Sequence, residues 1–90
     1  MKFGEAIEEA RSGKKICRCG WNGKNMFVAY MSGYTIAEEN VNGRTKEFVP
    51  TGDLRVLPYF AMKTACGGWL PGWLASQTDM LADDWQVFEF

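Results

Sequence analysis

Residues 15–31, KICRCGWNGKNMFVAYM, predict a β-hairpin. Residues 15–19 alternate as a short strand does, and residues 26–31 form an apolar run that predicts the returning strand. Between them, the dipeptide Asn22-Gly23 predicts a tight turn, because both residue types tolerate a positive φ angle. Trp21 is therefore expected to lie beside the turn of a hairpin.

The segments on either side of this hairpin predict a helix and further strands. Residues 3–12 place apolar side chains at helical spacing, and Gly13 follows as a stop signal. Residues 58–64 predict a strand, and residues 69–75 form another apolar run. Because proline has no backbone N–H to donate, Pro71 within that run predicts a bulge or a sheet edge.

The C-terminal segment predicts a short helix followed by a strand. Ser76 and Asp79 have the spacing of a capping box, with Thr78 as an alternative N-cap. We therefore expect a helix that covers residues 79–83. Residues 85–90 alternate and predict the last strand.

Residues 32–56 are rich in turn residues and charges, so they predict a long loop or hairpin excursion. A short strand is expected within it, around residues 46–49. The whole chain, residues 1–90, is expected to form a single domain. The predicted fold class is α+β, with an N-terminal helix packed on a mostly antiparallel sheet and a short helix before the C-terminal strand.

The composition limits the kinds of function. Of 90 residues, 47% are hydrophobic, including four Trp and six Phe, which is more large apolar surface than so short a chain readily buries. The surplus predicts contact with a ligand, another subunit or both. A formal net charge of −1 argues against binding a nucleic-acid polymer. No apolar run approaches the roughly 20 residues of a membrane helix, so we expect a cytoplasmic protein.

Residues that usually carry catalysis or bind metals are scarce. The chain has no His, which excludes triads built on His and the usual base for a Cys nucleophile. Cys17, Cys19 and Cys66 provide too few soft ligands for a structural zinc site, so we expect buried or half-buried free thiols. We expect no metal, no cofactor and no enzymatic activity, although a carboxylate pair, Asp79 with Asp83 or Asp84, remains as a catalytic alternative.

Two clusters, residues 20–24 and residues 69–79, combine aromatic rings with small polar groups. A flat ring beside hydrogen-bonding groups suits a planar base that carries a ribose and a phosphate. The alternative is structural: the Trp side chains belong to the core, and Ser76 with Asp79 only caps a helix. Two strand residues next to these clusters complete the candidate set. The predicted ligand-binding residues are Trp21, Asn22, Phe27, Met62, Trp73, Ser76, Gln77, Thr78 and Asp79.

Four blocks of the sequence resemble a known family. They are FGEA at residues 3–6, GWNGK at 20–24, PYFAMKT at 58–64 and WLASQTDMLADDW at 73–85. Together they resemble the small phage and prophage family, long described as a domain of unknown function, that includes the second Thoeris anti-defence family. Lys2 departs from the family's usual small hydroxyl residue, so the first helix is expected to lack a side-chain cap.

The resemblance implies a phage protein that binds and sequesters a cyclic nucleotide messenger without degrading it. The messenger implied is a glyco-cyclic ADP-ribose, which a TIR-domain enzyme of the Thoeris defence makes from NAD. The resemblance also implies a homotetramer in the host bacterial cytoplasm, with ligand pockets at subunit interfaces. In it, Trp21 and Trp73 would stack on the base or line the pocket. Two alternatives remain: a structural oligomeric phage protein without a small-molecule ligand, and a hydrolase that degrades the messenger.

Overall fold

The computed structural model describes residues 1–21, 25–49 and 52–89, and within these ranges the strands form two antiparallel sheets. Strands β6, β5, β2, β1 and β7, in that order, form the main sheet, and β3 and β4 form a separate two-stranded sheet. In chain order, the strands are β1 (Ile16–Arg18), β2 (Phe27–Met31), β3 (Tyr34–Ile36), β4 (Leu54–Val56), β5 (Tyr59–Lys63), β6 (Trp69–Pro71) and β7 (Trp85–Val87). The helices are α1 (Phe3–Arg11), α2 (Gly43–Lys46) and α3 (Gln77–Leu81), with a 3-10 turn at Glu38–Asn40.

The predicted N-terminal helix is confirmed as α1. Its apolar stripe faces the main sheet, and Ala6 and Ala10 on that stripe have no exposed surface. Such small side chains let the helix lie close to the strands. The Lys2 side chain provides no cap, as expected, and the Lys2 N–H instead donates to Glu5 Oε1 at 3.1 Å.

The hydrophobic core lies between α1 and the main sheet. Ile16 on β1, Val28 on β2 and Trp85 on β7 are at most 2% exposed and pack with the alanines of α1. Burial of apolar surface contributes about 25 cal/mol per Å². Because Trp85 has the largest of these side chains, it contributes most to the stability of this core.

The strands of the predicted hairpin are confirmed. β1 pairs antiparallel with β2 through Ile16 and Val28, and β2 pairs along its whole length with β5. The turn between β1 and β2, with residues 22–24, lies outside the described residues. In the main sheet, β1 and β2 are therefore neighbours, with β5 and β6 beyond β2 and with β7 beyond β1.

Residues 32–56 leave the main sheet and form the β3–β4 pair with α2 between its strands. The strand expected around residues 46–49 is wrong. Asn42 Oδ1 accepts a hydrogen bond from the Thr45 N–H at 2.8 Å and caps α2. The Val49 N–H also donates to the Thr45 carbonyl at 2.9 Å, so the chain continues a helical turn there.

Strand β6, which contains Pro71, lies at the edge of the main sheet. This confirms the sheet edge that Pro71 predicts. Gly72 follows with a φ of 83°, in the left-handed region that favours glycine. The N–H groups of Gly72 and Trp73 both donate to the Phe60 carbonyl, at 2.9 and 2.8 Å. The chain therefore leaves the regular ladder here, and Trp73 packs against the core.

Helix α3 begins at Gln77, earlier than predicted, because Ser76 is its N-cap. Ser76 Oγ accepts a hydrogen bond from the Asp79 N–H at 3.1 Å, and Asp79 Oδ2 accepts one from the Ser76 N–H at 3.0 Å. The predicted capping box is thus confirmed. The alternative N-cap, Thr78, is wrong because this residue lies inside the first turn. β7 ends at Val87, before the predicted end of the last strand.

These elements confirm the predicted α+β class: an N-terminal helix on an antiparallel sheet, with a short helix before the last strand. Within the described ranges, every helix is too short or too polar to span a membrane.

Candidate functional site

The two aromatic segments predicted from the sequence meet at Trp85. The ring of Trp21 lies 5.4 Å from that of Trp85 with an interplanar angle of 79°, and the ring of Trp73 lies 6.2 Å away at 75°. Phe3 of α1 contacts the same indole at 5.5 Å. We call these four residues the Trp85 cluster. Trp85 is almost fully buried, whereas Trp21 and Trp73 are half-buried and present part of their surface to solvent.

A charged group, the Arg18 cluster, lies beside these rings and consists of Arg18, Asp79 and Asp84. Arg18 ends β1 opposite Trp85 in the β1–β7 register. Its Nη1 donates to Asp79 Oδ1 at 3.0 Å, and its Nε donates to Asp84 Oδ1 at 2.9 Å. The side chains are 22%, 14% and 34% exposed, respectively, so the charges lie mostly within the protein surface.

Asp84 connects the Arg18 cluster to the first aromatic segment, residues 20–24. Its Oδ2 accepts a hydrogen bond from the Gly20 N–H at 3.3 Å, and its carbonyl accepts one from the Cys19 N–H at 3.1 Å. The Trp21 N–H donates to the Arg18 carbonyl at 3.2 Å. Backbone and side-chain bonds together therefore fix the chain on which Trp21 stands.

Asp79 connects the Arg18 cluster to the second aromatic segment, residues 69–79. One carboxylate oxygen accepts from Arg18, the other accepts from the Ser76 N–H, and the Asp79 carbonyl accepts from Trp85 Nε1 at 2.8 Å. The indole N–H of the buried Trp85 is thereby satisfied. Helix α3 is tied to the sheet through this one residue at both its side chain and its backbone.

The two carboxylates are held ionised. Burial raises the pKa of Asp79, but hydrogen bonds from Ser76 and Arg18 outweigh it and leave the pKa below its ordinary value of 3.8. The hydrogen bond from Arg18 lowers the pKa of Asp84, and the Gly20 N–H adds to this effect. The hydrogen bonds to both carboxylates raise the pKa of Arg18. Neither aspartate is therefore tuned toward proton transfer near neutral pH.

The structure brings several of the predicted residues together. Trp73 and Asp79 lie at the Trp85 and Arg18 clusters, and Trp21 joins them from the other segment. Ser76, Gln77 and Thr78 lie exposed at the start of α3. Met62 packs against the same core from β5. Asn22 lies outside the described residues.

Phe27 is not brought together with the others. It lies on the opposite face of the sheet, where its ring contacts Phe88 at 5.3 Å and Trp69 at 6.4 Å. Lys15 Nζ lies 5.2 Å from the centre of the Phe27 ring and 5.5 Å from that of Phe88. The reason is strand alternation: Val28 faces α1, so its neighbour Phe27 faces away.

Arg18 and Trp85, which belong to these clusters, are not among the site residues predicted from the sequence, and Asp84 was predicted only as a possible carboxylate partner of Asp79. The alternation of residues 15–19 predicts β1 but assigns Arg18 no partner. These residues are brought together by the β1–β7 pairing, which joins residues far apart in the chain. No local pattern in the sequence predicts that pairing.

A cleft of about 400 Å³ opens beside Trp21 and lies in the size range of small-molecule sites. It does not reach Trp73 or α3. Its lining includes thiol, amide and aromatic groups together with Arg18. The residues that line it are Cys17, Arg18, Cys19, Trp21, Asn25, Met26, Gln86, Val87, Phe88 and Glu89.

The cysteines are free thiols. Cys17 is buried, and burial raises its pKa. Cys19 and Cys66 are exposed, so the expectation of buried or half-buried thiols is right for Cys17 and wrong for the other two. Cys19 follows the end of β1, and Cys66 lies in the turn after β5, where solvent reaches both. Among the residues described, no three His, Cys, Asp or Glu side chains lie close enough to hold a metal ion.

Comparison with known proteins identifies relatives along nearly the whole chain. Residues 1–88 match the family model described as Tad2-like, the Thoeris anti-defense 2-like domain. The protein named Thoeris anti-defense 2, from Bacillus phage SP01, is 37% identical over 91 residues, which span 97% of this chain and 93% of that protein. The matched range includes the Trp85 and Arg18 clusters.

Proposed function

This chain belongs to the Thoeris anti-defense 2-like family, and on that premise we propose that it binds and sequesters a cyclic nucleotide messenger. The membership itself supports a phage role against the Thoeris defence. The messenger proposed is the glyco-cyclic ADP-ribose that a Thoeris TIR-domain enzyme makes from NAD. Binding without degradation, in the host cytoplasm, would keep that messenger from its effector.

The observation that carries the proposal is the meeting of Trp21 and Trp73 at Trp85. Both rings are half-buried, so each is held by the core on one side and has surface available on the other. Stacking of a base on such a ring contributes about 1–3 kcal/mol. The exposed hydroxyls and amide at the start of α3, on Ser76, Gln77 and Thr78, add groups that suit a ribose.

The charges favour a binding protein over an enzyme. Of the aspartates that could form a catalytic pair, Asp79 and Asp84 are both engaged by Arg18, and both have lowered pKa values. A general acid near neutral pH needs a raised pKa instead. The family's anti-defence name also fits a role without catalysis.

The exposed apolar surface supports the proposed homotetramer with pockets between subunits. Leu74 and Leu81 are 88% and 81% exposed, and Trp69 is 45% exposed. Large apolar side chains left in solvent mark surfaces that another molecule covers. The charge of Arg18 is already shared by two carboxylates, so the phosphates of a messenger need cations from elsewhere, such as a second subunit.

Titration calorimetry with the purified product of a Thoeris TIR-domain enzyme tests the proposal. A sequestering protein acts by stoichiometry, so we expect a dissociation constant on the order of nanomolar, or about −12 kcal/mol. Heat denaturation of the complex should release the messenger unchanged. Multiple turnover under excess messenger would instead identify a hydrolase.

Sedimentation of the free protein tests the assembly. We expect a particle of four chains of 10.2 kDa each. The exposed leucines equally fit a structural oligomer without a ligand. That alternative predicts a tetramer whose melting temperature does not change when the messenger is added. A stable monomer at micromolar concentration would contradict both interpretations.

A further inference from the structure

We infer that Arg18 is the positioning residue of the ligand site, because its single guanidinium fixes both aromatic segments relative to the sheet. The inference rests on the proposed function and concerns how the site is assembled. It assigns no direct contact between Arg18 and the messenger. Arg18 acts instead through Asp84 on one side and Asp79 on the other.

Two series of hydrogen bonds start at Arg18, and we call them arms. The first arm runs from Arg18 to Trp21. Arg18 Nε holds Asp84 Oδ1 at 2.9 Å, and Asp84 Oδ2 holds the Gly20 N–H at 3.3 Å. Gly20 precedes Trp21, whose own N–H bonds back to the Arg18 carbonyl. This closed set of bonds holds the backbone from which the Trp21 ring packs against Trp85 at 5.4 Å.

The second arm runs from Arg18 to Trp73. Arg18 Nη1 holds Asp79 Oδ1 at 3.0 Å, while Asp79 closes the capping box with Ser76. α3 has only five residues, too few to be stable alone, so its position depends on these bonds and on the indole of Trp85. The loop that carries Trp73 ends at this cap.

Arginine suits this position for a geometric reason. Its planar fork presents Nε and Nη donors in fixed directions, so one side chain can bind two carboxylates that arrive from different elements. Without the guanidinium, Asp79 and Asp84 would be two negative charges next to each other with no cation between them. They would repel, and both arms would move at once.

The decisive experiment compares Arg18→Met with Arg11→Met. Arg11 is a matched control, since its side chain is 60% exposed and lies 3.9 Å from Glu8 in a surface pair. Calorimetry uses the purified TIR-enzyme product, well below the melting temperature of each variant. We expect Arg18→Met to bind about tenfold more weakly than wild type, and Arg11→Met to bind as wild type does. Wild-type affinity in folded Arg18→Met would overturn the inference.

A double-mutant cycle separates positioning from general stabilisation. If Arg18 acts through Asp84, then Asp84→Asn weakens binding alone but adds little in the Arg18→Met background. Independent, additive losses would contradict the inference. If Arg18→Met does not fold, Asp84→Asn and Asp79→Asn each weaken one arm by removing its negative charge. Both must then weaken binding, and wild-type affinity in either would overturn the inference.

A measurement without ligand distinguishes this inference from the proposed function. Acrylamide quenching of tryptophan fluorescence should increase in folded Arg18→Met and stay unchanged in Arg11→Met, because Trp21 and Trp73 lose their support. If wild type does not bind the messenger, the proposed function fails. The quenching result then decides alone whether Arg18 positions the rings, and equal quenching in both variants would show that it does not.

Discussion

The two faces of the main sheet both carry clustered aromatic rings, but different interactions hold them. On the face covered by α1, Trp85 is 2% exposed, and its neighbours stand on segments tied together by Arg18. On the opposite face, Phe27 bridges Phe88 and Trp69, and Trp69 remains 45% exposed. Aromatic rings thus lie on both faces, whereas the charged hydrogen bonds of Arg18 with Asp79 and Asp84 lie on the face covered by α1.

The two faces also use the surplus of large apolar side chains differently. The α1 face uses its rings to build a core and to hold two half-buried tryptophans at its edge. We call the face with Phe27, Trp69 and Phe88 the open face. It leaves part of its apolar surface in solvent, which suits the proposed packing of copies. The following predictions test whether the two faces differ in this way.

The largest expected effect is the difference in the free energy of unfolding between Trp85→Ala and Trp69→Ala. Removing the buried Trp85 side chain should lower the free energy of unfolding by about 3–5 kcal/mol, because it leaves a cavity and removes the contacts of three rings. Removing the half-exposed Trp69 should cost about 1 kcal/mol or less. Denaturant unfolding of both variants measures this. Equal losses would mean that the open face is packed as tightly as the core.

Messenger binding should respond to one face only. Trp73→Ala is expected to weaken binding roughly tenfold to hundredfold, since a stacked ring contributes about 1–3 kcal/mol per base. Phe27→Ala removes a smaller aromatic ring, a phenyl group, on the open face and should leave the affinity unchanged.

Thermal melts of the same two variants provide the control. Trp73 packs against Trp85, so some loss of stability is expected together with the loss of affinity. If Phe27→Ala weakens binding in a folded tetramer as much as Trp73→Ala does, the open face belongs to the site after all.

Local patterns predicted most of the elements of this fold. The stripe of α1, the strands β1 and β2, the edge position of Pro71 and the capping box of Ser76 all follow from spacings of a few residues. α2 was missed because the Asn42 cap begins a helix too short to show periodicity. Trp21 and Trp73 each stand out within their own segments, and the structure brings both to Trp85, while their role in binding stays a prediction.

The rest of the site depends on a contact that no local pattern encodes. Arg18 and Asp84 are 66 residues apart, and they meet only because β7 pairs with β1. Phe27 shows the converse. Its place in the sequence next to the first cluster suggested a shared site, but strand alternation directs it to the open face.

Acid should affect the α1 face through its aspartates. The pKa of Asp79 and of Asp84 is lowered in the folded state, so the unfolded chain binds more protons as the pH falls toward 3.8 and below. The stability that these groups contribute is therefore fully present well above pH 3.8. It is lost as the pH falls through their folded-state pKa values.

Denaturant unfolding at a series of pH values checks this prediction. Asp79→Asn should be less stable than wild type near neutral pH, and its unfolding free energy should fall less steeply in acid. Glu8→Gln is the control, because the Glu8 contact with Arg11 is long and exposed. A wild-type acid slope in Asp79→Asn would show that the Arg18 cluster does not contribute to the pH dependence.

The smallest expected effect lies on the open face, at Lys15. Its ammonium lies 5.2 Å from the Phe27 ring centre and 5.5 Å from that of Phe88, at the distances of cation–π contacts. Lys15→Met keeps an unbranched apolar side chain and removes the charge, so the free energy of unfolding should fall by about 0.5–1 kcal/mol. Messenger affinity should not change, since Lys15 is on the face away from Trp21 and Trp73. A loss of several kcal/mol would reveal that the open face, too, depends on a charge, and the contrast between the faces would then fail.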